Sequence, residues 1–66
     1  MRRVAERLLA DLPRAGEACT VQVAADAQHG QVLRVTLSAA DGTARARLAE
    51  GVHARLGPLT VRHEVV

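Results

Sequence analysis

The sequence predicts an α+β fold, a two-layer sandwich with the element order α-β-β-α-β. Three stretches, 19–23, 32–37 and 59–66, alternate between apolar and polar residues with the period of two that marks a half-buried strand. Two further stretches, 2–12 and 43–56, repeat their apolar residues at helical spacing. We therefore expect one domain, residues 1–66, with two helices on one face of a three-stranded mixed sheet.

The first helix is predicted to end before Pro13, because a proline disfavours the helical conformation of the residue that precedes it. Arg2 and Glu6 are four residues apart and can form an ion pair on its surface. Its predicted buried stripe consists of Val4, Ala5, Leu8, Leu9 and Leu12.

The second helix is predicted to start at a cap formed by Asp41 or Thr43. Gly51 lies within this helix and would allow a close approach of the sheet or of the first helix. Gly57, followed by Pro58, is suited to a left-handed cap that ends it. Its predicted buried stripe consists of Ala44, Leu48, Ala49, Val52 and Leu56.

The first two strands are predicted to form an antiparallel hairpin joined by the connection 26–30, in which Gly30 can take a positive φ. The last strand should lie parallel to the strand at 32–37, because a helix connects the two through a right-handed crossover. This arrangement is a ferredoxin-like unit without its first strand. The residues predicted to point toward the helices are Cys19, Val21, Val23, Leu33, Val35, Leu37, Leu59, Val61, His63 and Val65.

Composition argues against several classes of partner. The formal net charge is only +2, from nine Arg and seven acidic residues, and there is neither a Lys nor an aromatic residue. Scattered arginines without an aromatic platform do not favour nucleic-acid binding. No segment is long and apolar enough for a signal peptide or a membrane span. Cys19 is the single cysteine, so we expect a reduced, buried thiol and a cytoplasmic protein.

No catalytic residue, cofactor or metal site is expected. A zinc site needs three or four convergent ligands, whereas His29, His53 and His63 are dispersed along the chain. Cys19 and His63 share one face of the predicted sheet, but that face is covered by helices and closed to a substrate.

The outer face of the sheet, turned away from the helices, is the candidate binding surface. It is either solvated or a contact surface, and Arg34, Arg62 and Glu64 can pair across two of its strands. Together with His29 in the hairpin connection, these three residues are the candidates for binding a partner or an anion. The predicted outer-face residues are Thr20, Gln22, Val32, Arg34, Thr36, Thr60, Arg62, Glu64 and Val66.

Four stretches carry a resemblance to a known family: Leu-Leu-Ala-Asp-Leu-Pro at 8–13, Gln-Val-Leu-Arg-Val-Thr-Leu at 31–37, Ala-Arg-Leu-Ala-Glu-Gly-Val-His-Ala-Arg-Leu-Gly at 46–57, and Leu-Thr-Val-Arg-His-Glu-Val-Val at 59–66. With them the chain resembles the small C-terminal domain of AMP-forming acyl- and aryl-CoA ligases of the phenylacetate–CoA ligase type.

The resemblance implies a lid that docks on a large adenylating domain and rotates between two steps of catalysis. It also implies a catalytic lysine after the last strand, and this sequence has no Lys. No catalytic residue therefore carries over, and the expected function is that of a non-catalytic lid-like domain whose partner is an adenylating enzyme body or a second copy. The alternative is a small homodimeric ligand-binding or regulatory module.

Overall fold

The computed structural model describes residues 2–28 and 30–66, and the predicted order α-β-β-α-β is confirmed. His29 lies outside the described residues. The elements are helix α1 (Arg2–Leu9), strands β1 (Ala18–Asp26) and β2 (Gly30–Ser38), helix α2 (Gly42–Leu56) and strand β3 (Arg62–Val65).

The three strands form one mixed sheet in the order β1-β2-β3, as the sequence predicts. β1 and β2 are antiparallel, with Val21 opposite Val35, and β2 and β3 are parallel, with Leu33 opposite His63. The strand bounds differ from the prediction: β1 and β2 are both longer, so that Gly30 pairs with Asp26, and β3 is shorter. Gly30 takes the positive φ expected of it, +76°.

The core lies between the inner face of the sheet and the helices. Each buried strand position alternates with an exposed one along β2, from Leu33 to Ser38, which is the pattern of a strand with one covered face. The fully buried large side chains are Leu33, Val35, Leu48, Val52 and Leu56. Ala5 and Leu9 of α1 complete this cluster, and Cys19 is half-buried at its edge.

Helix α1 ends at Leu9, three residues earlier than predicted. The chain then makes a tighter turn, in which the Leu12 amide donates to the Leu9 carbonyl at 3.1 Å. This conformation fits the restriction that Pro13 places on Leu12. Leu12 packs against α2, where a Cβ added at Gly51 would lie 2.6 Å from its Cδ2 atom. The close approach expected at Gly51 is therefore made by the segment after α1.

Helix α2 begins at one of the two predicted caps. The Asp41 carboxylate accepts a hydrogen bond from the Ala44 amide at 2.8 Å. The prediction of a left-handed Gly57 is wrong, because Gly57 has φ −54° and ψ −39° and its amide donates to the His53 carbonyl. The helical hydrogen-bond pattern continues through this residue, and Pro58 follows it.

Two arginines of α2 hold the segment that follows α1. Arg47 bonds to Glu17 at 2.5 Å and reaches the Leu12 carbonyl at 3.5 Å. Arg55 donates to the Leu8 carbonyl at 2.8 Å and also pairs with Asp11. A guanidinium at the carbonyl end of a helix satisfies acceptors that the helix itself leaves open. These contacts bind α1 and its following turn to α2.

Candidate functional site

The outer face of the sheet carries an ion pair between two of the three residues that the sequence suggests can pair there. Arg34 of β2 and Glu64 of β3 are neighbours in the register, and the Arg34 Nε donates to the Glu64 Oε1 at 2.8 Å. Both side chains are about half exposed, at 49% and 47%. Exposed pairs of this kind contribute little to stability, so this pair chiefly sets the charge pattern of the face.

The pairing limits what Arg34 can offer to an anion, because its charge is already balanced by Glu64. Arg62 stands on the same face, two residues before Glu64 in β3 and opposite Val32 in the sheet. The structure thus brings three of the four candidate residues onto one surface. Their role in binding a partner or an anion stays a prediction, and His29 lies outside the described residues.

The prediction that Val32 is exposed on the outer face is wrong. Val32 is only 4% exposed, although it shares the face of Arg34. β2 is the central strand, so Val32 is flanked by Ala24 on one side and by Arg62 on the other. The aliphatic part of an arginine side chain covers apolar neighbours readily. The outer face around these residues is therefore more polar than the sequence pattern indicates.

Three apolar side chains that the sequence places in the core are exposed instead. Val4 and Leu8 of α1 are 48% and 36% exposed, and Val23 of β1 is 45% exposed. α1 turns Ala5 and Leu9 inward, which leaves the second apolar row of the helix uncovered. We call Val4, Leu8 and Val23 the apolar surface; the two elements that carry it, α1 and β1, pack against each other.

The same side of the molecule carries an open sheet edge. Within the described residues β1 pairs only with β2, so the other edge of this nine-residue strand has no neighbour. From Ala18 to Ala25 that strand contains no charged residue and no proline. Charged residues and prolines are the usual protection of an edge strand against pairing with another chain. This edge is consequently open to a further strand.

Two histidines that the sequence treats as dispersed meet in the fold. The Nδ1 atom of His53 in α2 and the Nε2 atom of His63 in β3 are 2.8 Å apart, with ring centroids 5.0 Å apart. Burial, followed by the nearby His53, lowers the pKa of His63 below its usual value of 6.5. A spacing of ten residues across a loop carries no recognisable metal or catalytic signature, so only the tertiary structure reveals the pair.

Cys19 and His63 do not form a catalytic pair. They lie on β1 and β3, which are separated by β2, and Cys19 is opposite Leu37 whereas His63 is opposite Leu33. Two strand spacings put about 9–10 Å between such positions across the sheet, and the four-residue offset along β2 adds about 13 Å in the strand direction. Burial also raises the pKa of the Cys19 thiol, which disfavours the reactive thiolate.

The part of the chain that the structure describes encloses no pocket. Within it, no group of three or more His, Cys, Asp or Glu side chains is placed to hold a metal ion. No helix among residues 2–28 and 30–66 has the length and apolar character needed to cross a bilayer. The candidate sites are therefore surfaces: the outer sheet face, the apolar surface and the β1 edge.

Comparison of the chain with protein-family models, with curated proteins and with solved structures finds no match. The fold and its surfaces define a small α+β domain with two helices on one side of a three-stranded sheet.

Proposed function

We propose that this chain is a non-catalytic, lid-like domain that acts by docking on a partner protein, the body of an AMP-forming adenylating enzyme. The partner class comes from the resemblance of residues 8–13, 31–37, 46–57 and 59–66 to the ligase lid domain. Residues 1–66 contain no Lys, so the proposal assigns no catalytic residue within this sequence.

The observation that carries the docking proposal is the apolar surface. Val4 and Leu8 are one turn apart on α1, and a second element, β1, exposes Val23. Exposed apolar groups cost free energy in water, and a domain of 66 residues has a small core with which to offset that cost. Covering these side chains with a partner would stabilise the domain.

The charged residues beside the apolar surface indicate which kind of partner surface would fit it. Arg3 and Arg7 directly precede Val4 and Leu8 in α1 and form a parallel row on the helix. Both are exposed, and neither makes an ion pair within the described residues. An apolar patch bordered by carboxylates complements such a surface in both respects.

The test is an affinity capture from lysate of the source organism with two baits, the wild-type chain and the variant V4E/L8E. We expect the wild type to retain an adenylating enzyme that lacks a small C-terminal domain of its own, and the variant to lose it. Ala46→Glu is the matched control, because it also adds a carboxylate to an exposed helix position. Far-UV circular dichroism checks that both variants fold.

Three results contradict the proposal. The first is ATP–pyrophosphate exchange by the purified chain alone, which would make it a catalyst. The second is capture of the same enzyme by the wild type and by V4E/L8E, which would place docking elsewhere. The third is recovery of the bait only, a result that would favour the second candidate function.

The second candidate is a homodimeric ligand-binding or regulatory module, and the open edge of β1 favours it. Antiparallel pairing of β1 with β1 of a second copy would join two three-stranded sheets around a two-fold axis. The pairing would oppose no like charges between Ala18 and Ala25. Sedimentation equilibrium tests it: a dimer that Gln22→Lys weakens supports this candidate, and a monomer at all concentrations excludes it.

A ligand of such a module would be an acidic molecule held by Arg62 and, in competition with Glu64, by Arg34. A thermal-shift screen of acidic metabolites detects it, because a ligand that binds only the folded chain raises the melting temperature. A hit that persists in both Arg34→Ala and Arg62→Ala would place the ligand elsewhere on the domain.

A further inference from the structure

The paired histidines are not used by either candidate function. His53 lies in the last turns of α2 and is exposed, and His63 lies half-buried on the inner face of β3. Their Nδ1 and Nε2 atoms are 2.8 Å apart, a distance at which one nitrogen must donate its proton and the other must accept it. When the shared proton moves to the other nitrogen of its own ring, the Nδ1 of His53 and the Nε2 of His63 each have a free lone pair. Both lone pairs are then available to one ion.

We propose that His53 and His63 form a two-histidine chelating site for a divalent transition-metal ion of tetragonal preference, Ni²⁺ or Cu²⁺. Imidazole is a favoured ligand of both ions, and Cu²⁺ and Ni²⁺ take square-planar or tetragonal nitrogen and oxygen sets. The inference is independent of docking, since neither histidine belongs to the apolar surface.

The spacing of the two nitrogens, which their hydrogen bond sets, is compatible with this geometry. Ligands about 2.0 Å from one ion at a right angle to each other are about 2.8 Å apart, and the same bond lengths at a tetrahedral angle require about 3.3 Å. The observed separation, 2.8 Å, matches the right angle. Each ring has only to turn by about 45°, so that its lone pair points at the ion and not along the line between the nitrogens.

The surroundings allow both the turn and the completion of the coordination shell. His53 is exposed and His63 is only half-buried, so both rings can reorient, and water can fill the remaining positions on the exposed side. β3 is a four-residue edge strand joined to α2 by the segment 57–61, and a metal bridge would add a cross-link between these two elements. No proton is released when both imidazoles are neutral, because the shared proton stays on its ring.

The experiment measures thermal unfolding by far-UV circular dichroism at pH 7.5, on the chain without an oligohistidine tag. Far-UV detection is needed because the chain has no Trp, Tyr or Phe. At a Ni²⁺ concentration about ten times the dissociation constant, we expect the wild-type melting temperature to rise by roughly 5–10 °C relative to a sample in EDTA. Mg²⁺, which prefers oxygen ligands, should produce no rise.

The variants decide which histidines are responsible. His53→Asn and His63→Asn should each abolish the Ni²⁺-dependent rise, and the matched control His29→Asn should keep it. A rise that survives in His53→Asn or disappears in His29→Asn overturns the proposal, as does the absence of any rise in the wild type at millimolar Ni²⁺.

A second measurement covers the case in which a variant does not fold. In ¹H–¹⁵N spectra of the wild type, paramagnetic Ni²⁺ should broaden the amide signals of β3 and of the end of α2 at substoichiometric amounts. Broadening confined to the hairpin between β1 and β2 would instead locate the ion at a different histidine and overturn the assignment.

Discussion

Arg47 joins helix α2 to the loop that precedes β1. Its guanidinium reaches across from α2 to Glu17 and to the carbonyl of Leu12. Glu17 also accepts a hydrogen bond from the Arg14 amide, so one carboxylate closes the loop before β1 and fastens it to the helix. The side chain of Glu17 is only 10% exposed, which protects the pair from water.

Replacing Arg47 by Ala should lower the melting temperature by roughly 5 °C, because it removes a charge-assisted hydrogen bond and leaves the Glu17 carboxylate without its partner. The matched control is Arg3→Ala, since Arg3 is exposed and has no ion pair in the described part of the chain. The measurement is a thermal melt followed at 222 nm. Equal losses in the two variants would mean that the Arg47 contacts contribute nothing.

The same pair predicts a pH dependence. The Arg47 hydrogen bond, followed by the Arg14 amide, holds the pKa of Glu17 below its usual 4.5. The ionised carboxylate therefore favours the folded state, and its contribution is complete above pH 4.5 and is lost as the pH falls through the folded-state pKa. The free-energy difference between wild type and Glu17→Gln should be constant from pH 7 to about 5 and shrink below that.

Urea unfolding at a series of pH values measures this difference. Glu50→Gln is the control, because Glu50 is exposed on α2 and makes no ion pair within the described residues. A wild-type minus Glu17→Gln difference that stays constant down to pH 3 would contradict the prediction.

At the scale of the elements, the segment that follows α1 packs on α2 through a contact that a glycine makes possible. A Cβ at Gly51 would stand 2.6 Å from the Leu12 Cδ2 atom, so Leu12 occupies the space that a side chain on α2 would need. Glycine in a helix interior is unfavourable by about 1 kcal/mol relative to alanine. Helix α2 therefore has an unfavourable residue at the position against which Leu12 packs.

Gly51→Ala should therefore be close to neutral in the wild-type chain, because the gain in helix propensity is offset by displacing Leu12. In a Leu12→Ala background the same substitution should stabilise by about 1 kcal/mol, since the space is then open. Urea unfolding of the four members of this double-mutant cycle measures the coupling. Additive effects would show that Leu12 and Gly51 do not constrain each other.

For the whole molecule, the decisive quantity is the size of the core. A domain of 66 residues has only about 3–10 kcal/mol of net stability, and no aromatic side chain contributes to it. The five large, fully buried residues are all Leu or Val. Loss of one of them is a large fraction of the total.

Leu48→Ala should cost about 2–5 kcal/mol, because Leu48 is completely buried and its truncation leaves a cavity. We expect this variant to be largely unfolded at 37 °C. Leu8→Ala is the matched control with the same change in chemistry, and its cost should be only about 1–1.5 kcal/mol, since Leu8 is 36% exposed and its truncation leaves no enclosed cavity. Similar costs in the two variants would mean that Leu8 is covered in solution, as in a dimer.

The sequence by itself determined the element order, the sheet pairing and the face of each strand, because periods of two and 3.6 are local properties of the backbone. It also indicated that Arg34, Arg62 and Glu64 share the outer face, since the alternation sets the face of each residue, but the pairing of Arg34 with Glu64 was decided by the strand register in the structure. It did not reveal that α1 would expose Val4 and Leu8. An apolar stripe shows which side of a helix faces the core, but it does not show how much of the stripe the neighbouring elements cover.

Only the tertiary structure decided the contacts between residues far apart in the chain. The pairing of Arg47 with Glu17 and of His53 with His63, and the packing of Leu12 on Gly51, depend on how α2 lies against the sheet and against the turn after α1. No periodicity encodes such distances, since they arise from side-chain packing between elements and not from the conformation within one element. The candidate surfaces follow the same rule: their residue types can be read from the sequence, but their exposure is set by what the two helices leave uncovered.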